Sequence, residues 1–160
     1  MRTASLLIAM LATGACACAA RTAAPPPTAS PAYVPGLGEI MAANQMRHIK
    51  LWFAGRARNW PLAHYEVGEL EEGFGDVVRF HPRFDGAPRP LTELVPEFTG
   101  GPLKALERAV RDESEAEFEA AFDGLTEGCN GCHREVGFGF NVIQRPTSNP
   151  YSNQRFAPRK

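Results

Sequence analysis

The sequence predicts an all-α fold, an up-down-up-down bundle of four helices followed by an irregular tail. Three observations carry this. Apolar residues recur at three- and four-residue spacing through four segments between Gly38 and His133. Prolines and capping residues punctuate the chain between those segments, and Pro146 and Pro150 keep residues 137–160 from forming one long helix. The joints are short, which makes successive helices antiparallel neighbours.

The chain begins MRTASLLIAMLATGACACAARTAAPPPTASPAYVP. Arg2 is a short positive start, LLIAMLA is an apolar run too short to span a bilayer as a mature helix, and small residues follow. Residues 1–18 therefore read as an export signal. Two processing modes fit. One is cleavage at an Ala-x-Ala site inside ACACAA. The other is lipoprotein processing, in which Cys16 or Cys18, behind small residues, becomes a lipidated first residue. Residues 19–36, rich in Ala and Pro, read as a disordered, semi-extended linker. The four-helix domain then covers 37–136, and the tail, 137–160, packs on it through its aromatic residues.

The first helix spans Gly38–Arg58. Ala42, Met46, Ile49 and Phe53 mark one face, flanked by Met41, Gln45, His48 and Trp52; on this reading Met46 fills the core. Asn59 caps the second helix, Pro61 sits in its first turn, and Leu62, Leu70, Phe74 and Val77 point inward until Pro82 ends it. Residues 82–101, dense in proline and glycine, read as a loop with at most one helical turn at LTELV. A third helix then starts at Pro102. Asp112 or Ser114 caps the fourth, Ser114 pairing with Glu117 as a capping box. Phe118, Phe122, Leu125, Cys129 and Cys132 continue it at heptad spacing, so the core seam runs straight into EGCNGCHRE at 127–135.

That stretch holds the chemistry. A zinc site needs about four protein ligands, but the other cysteines, Cys16 and Cys18, lie in the export signal and no His pair has ligand spacing. A thioredoxin-like redox pair belongs beside a βαβ pattern, which the sequence lacks. Cys129-x-x-Cys132-His133 fits covalent attachment of one haem c. Each S–H adds across a haem vinyl group to give a thioether, and the His133 imidazole coordinates the iron from one face. Haem is attached to such motifs outside the cytoplasm, in agreement with the export signal.

Bundle topology narrows the other face of the iron. Met41 stands about one turn from the start of its helix and His133 about one turn from the end of its own, so the two lie at similar height. Met41 is the first candidate for distal ligand; His81, His48 and an open site are the alternatives. Arg47, Lys50 and Arg79 read as propionate partners or as solvated charges, His64 as a surface residue, and Trp52 and Trp60 as packing residues.

With CNGCH near the end of the last of four helices, residues 38–136 resemble the class II c-type cytochromes, the cytochrome c′ and cytochrome c556 group. CNGCH is the specific part. QMRHIKLWFAG, NWPLAHYEVGELEEGF and the NPYSNQRF tail are similar to a branch of bacterial c-type cytochromes, the tail departing from the short ending of cytochrome c′. The resemblance implies a methionine from the first helix as distal ligand, as in cytochrome c556, against the open site of cytochrome c′. It also raises a homodimer through the first two helices. The function it implies is one-electron transfer to redox proteins of the periplasm or inner membrane, by a periplasmic or lipid-anchored carrier rather than an enzyme. The alternative is an open-site scavenger or sensor of NO or CO, with peroxidase-like side activity left open. Charge is balanced, 17 Lys and Arg against 18 Asp and Glu, with no basic stripe for nucleic acid.

Overall fold

Glu39 folds back to open the first helix. Its carboxylate accepts the Gly36 N–H at 2.7 Å and the Tyr33 hydroxyl at 2.6 Å, satisfying a donor the helix start would otherwise leave free. The computed structural model describes residues 33–159, so the export signal, Cys16, Cys18 and most of the linker lie outside the described residues. Four helices follow: α1 (Leu37–Arg56), α2 (Trp60–Phe80), α3 (Leu91–Arg111) and α4 (Glu115–Glu135). Among the described residues there is no strand, and no helix is long and apolar enough to cross a membrane.

Side-chain pairs fix the helix directions. On α1 and α2, Arg47 meets Glu69 at 3.1 Å. Gly73 leaves room for the Asn44 side chain, which a Cβ there would overlap. On α1 and α4, His48 meets Thr126 while Arg56 meets Glu115, so these helices run antiparallel side by side. On α3 and α4, the Phe98 carbonyl lies against Gly128 while Arg108 shares a groove with Glu117. The result is a four-helix bundle whose core is Leu51, Leu70, Val77, Leu94, Leu106, Phe118, Phe122 and Leu125, each 1% exposed or less.

Three expectations are corrected. The third helix starts at Leu91, not Pro102, and runs through Pro96 and Pro102. Each internal proline costs a helix about 3 kcal/mol. However, Leu91, Leu94, Val95, Leu103, Leu106, Ala109 and Val110 form one buried stripe. Burying each large side chain returns about 1.5–3 kcal/mol, so packing wins. Pro102 removes the N–H that the Phe98 carbonyl would have accepted, and Gly128, lacking a Cβ, lets α4 approach that carbonyl.

The second correction is the rotation of α1. Its buried face is Ile40, Asn44, His48, Leu51, Trp52, Ala54 and Gly55. Met46 does not fill the core: it is 38% exposed, and Ala42 is also exposed. Two polar residues on the inner face misdirect a reading based on apolar spacing. Third, Ser114 occupies the N-cap of α4, but its side chain makes no cap bond. By contrast, the Asn59 side-chain Oδ1 does accept the Leu62 N–H, at 3.4 Å.

α1 and α4 approach each other less closely than the other neighbouring pairs, and the tail lies along that seam. Ile143 is bonded to Asn130 on α4. Arg145 pairs with Asp123 at 2.6 Å and lies over the Trp52 ring, 4.7 Å from its centroid. Phe156 is buried against Phe53, and the Asn59 amide donates to its carbonyl at 2.9 Å. The tail thus returns from the end of α4 to the joint between α1 and α2.

Candidate haem site

All four helices and the tail line a cavity of about 260 Å³ at the end of the bundle where α1 begins and α4 ends. Leu70, Phe74, Val95, Leu125 and Ile143 make most of its wall apolar. Cys129, Cys132, His133 and Met41 all line it. Met41, the first distal candidate from the sequence, thus lies in the same cavity as the motif.

The heptad seam explains the opening. Phe118, Phe122 and Leu125 fill the interior at successive turns, and Cys129 and Cys132 continue the seam with much smaller side chains. Both cysteines are half-buried and unpaired. Burial pushes the Cys129 thiol up to about 12 and raises that of Cys132 as well, so both stand as neutral S–H groups at pH 7. Gly131, between them, leaves space for the Phe98 ring of α3, which a Cβ would strike.

His133 is oriented by the tail. Its Nδ1 lies 2.7 Å from the Asn141 carbonyl oxygen. A carbonyl can only accept, so Nδ1 carries the proton and Nε2 keeps its lone pair. This is the arrangement that fixes the tautomer of an imidazole serving as a metal ligand. The Asn141 carbonyl is held by a clamp next to it: the Asn130 amide donates to the Ile143 carbonyl at 2.9 Å and accepts the Ile143 N–H at 2.8 Å.

The alternative histidines make hydrogen bonds of their own. The Thr126 hydroxyl donates to the Phe122 carbonyl at 2.9 Å, so it must accept from His48 Nε2, 3.0 Å away. His48 therefore holds its proton on Nε2. Burial lowers its pKa to about 4, and it lines the cavity as a neutral ring. His81 caps α2 with its Nε2–H on the Pro35 carbonyl at 2.8 Å, and it does not line the cavity. The basic residues are also paired elsewhere: Arg47 with Asn44 and Glu69, Lys50 over the Tyr151 ring, and Arg79 over Phe80. His64 is exposed, whereas Trp52 and Trp60 are buried.

Several site residues went unseen in the sequence. Asn130 is a variable position of the motif, Asn141 acts through its backbone, and Thr126 matters only through His48. Asn44 is the most informative. It is 4% exposed and lines the cavity. Its oxygen accepts from Arg47 at 3.1 Å, which fixes the amide orientation, and its Nδ2 is buried without a partner. An orphaned buried donor costs about 1–3 kcal/mol unless something supplies an acceptor.

The donor set and the cavity fit a covalently held haem. Two neutral thiols stand ready for thioether bonds, one imidazole presents a free Nε2, a thioether sulfur lines the same cavity, and the walls are apolar. Among the described residues, no three His, Cys, Asp or Glu side chains converge to hold a metal ion. Compared with known proteins, the chain matches no family model, no curated protein and no solved structure.

Proposed function

We propose that this chain is an exported c-type cytochrome that carries one haem c and passes single electrons between redox proteins of the periplasm or inner membrane. The observation that carries the reading is the convergence of Cys129, Cys132, His133 and Met41 on one cavity, with His133 Nε2 left free by the bond from Nδ1 to Asn141. Cys129 and Cys132 would hold the haem through thioethers, and His133 and Met41 would supply its two iron ligands. The haem supplies a one-electron iron couple, whose potential a methionine ligand raises. The chain does the rest. Leu70, Phe74, Val95 and Leu125 give the cavity apolar walls. The Asn141 carbonyl holds the proton on His133 Nδ1. The tail closes the seam between α1 and α4 beside the site.

One observation favours a second reading. The unpartnered Nδ2 of Asn44 could donate to a diatomic ligand, and the protein would then be an NO or CO scavenger or sensor with an open distal side. Absorption spectra of the ferric and ferrous holoprotein, with and without Met41→Ala, separate the two. Electron transfer predicts a low-spin spectrum with a ferric methionine–iron charge-transfer band that the substitution removes. A high-spin spectrum with ready CO binding, indifferent to the substitution, would overturn the Met41 assignment and favour the second reading.

A further inference from the structure

We propose that Asn130, lying between the two cysteines, is a positioning residue that sets the electron-donating strength of His133 by clamping the tail. The proposal rests on the haem reading and goes beyond it, because it gives a role to a motif position that attachment chemistry leaves free.

Asn130 is 7% exposed and uses both ends of its amide on one residue, donating to the Ile143 carbonyl and accepting the Ile143 N–H. Such a two-bond ring fixes position and direction together. The register is matched as well. Asn130 and His133 are three apart on α4, which places them on one face about 5–6 Å apart. Ile143 and Asn141 are two apart on an irregular strap, and two extended residues span about 6.5–7 Å. Fastening Ile143 to Asn130 therefore brings the Asn141 carbonyl to His133.

The chain reaches this point through a short, bonded turn. Gly137, at φ +80°, reverses the chain after α4. The Phe138 N–H then donates to the His133 carbonyl at 2.7 Å, and the Asn141 N–H donates to the Phe138 carbonyl at 2.8 Å. Asn141 and Val142 are otherwise exposed, so the clamp at Ile143 fixes the downstream end of the strap. The N–H···O=C bond makes the His133 ring a stronger donor. A stronger donor favours the ferric state, so the clamp lowers the reduction potential.

The test uses the full-length holoprotein and two variants, Asn130→Ala and deletion of Val142. The first removes both clamp bonds. The second leaves the motif intact but moves the Asn141 carbonyl out of register with the clamp. Two readouts go beyond stability: the midpoint potential, and solvent exchange of the hyperfine-shifted His133 Nδ1–H proton. The expected result is a rise in potential equivalent to about a tenfold shift toward the ferrous form, about 59 mV for one electron, with an Nδ1–H signal that persists in the wild type and is lost to exchange in the variant. If Asn130→Ala fails to load haem, the Val142 deletion decides alone. Variants with haem attached, an unchanged potential and a protected Nδ1–H would overturn the inference and leave the haem reading standing. A wild-type protein that acquires no covalent haem would remove both.

Discussion

The two ends of the bundle are built from the same four helices and differ in how completely they are filled. At the end where α1 runs into α2, Trp52, Trp60, Phe118 and Phe122 form a continuous aromatic cluster with ring centroids 4.8–6.3 Å apart. Gly55 admits the Phe118 ring where a Cβ would overlap it, and Arg58 pairs with Glu115 across the outside at 2.7 Å. At the other end the same seam carries Cys129 and Cys132, and the inner residues of α1 include the polar Asn44 and His48. One end has spent its side-chain volume on packing. The other leaves a cavity lined with thiols, two imidazoles and an amide that lacks an acceptor. Incomplete packing beside oriented polar groups is what sets the candidate site apart from the filled end.

The contrast can be broken at either end. The largest effect is expected from Cys129→Ala combined with Cys132→Ala. Covalent haem, read by haem staining of a denaturing gel, should fall to zero, while the helical signal in circular dichroism persists because the filled end is untouched. Next comes Phe118→Ala, which should destabilise the apoprotein by about 3–5 kcal/mol in urea unfolding. Phe74→Ala, at the cavity wall, should cost less than half as much in the apoprotein, because space is already present there. Equal costs would show that the two ends are packed alike.

His48 makes the contrast depend on pH. The unfolded imidazole takes a proton near pH 6.5, the buried one only near pH 4. Between these values the unfolded chain binds more protons, so stability falls as the pH drops through the window and is fully present above it. The loss is about 3 kcal/mol over the whole window. Urea unfolding of the apoprotein at several pH values should show this slope, and His48→Gln should flatten it. The smallest effect belongs to Arg145→Ala. Its ion pair with Asp123 is exposed, so the change should be about 1 kcal/mol or less in the same assay.

The motif was legible because Cys-x-x-Cys-His compresses its chemistry into five consecutive residues. α1, α2 and α4 were legible from spacing and from their bounding residues, Asn59 and Pro82 among them. What escaped depends on distant partners. Pro96 and Pro102 look like helix breakers until the buried stripe from Leu91 to Val110 outweighs them. Asn44 carries no apolar signal, and its place on the inner face shows only once α1 is packed against Gly73; the partner of His48, Thr126, likewise comes from a distant helix. The tail has no periodicity, so nothing in its sequence says that Ile143 would meet Asn130 or that Asn141 would reach His133 through its backbone.

The central claim is that Cys129 and Cys132 together hold one haem beside His133. The most direct test is the intact mass and free-thiol count of the mature protein, expressed in cells that attach haem to exported proteins. The account predicts a mass gain of one haem, with Cys129 and Cys132 both protected from alkylation after denaturation. A mass equal to the bare polypeptide, with both thiols open to alkylation, would contradict it.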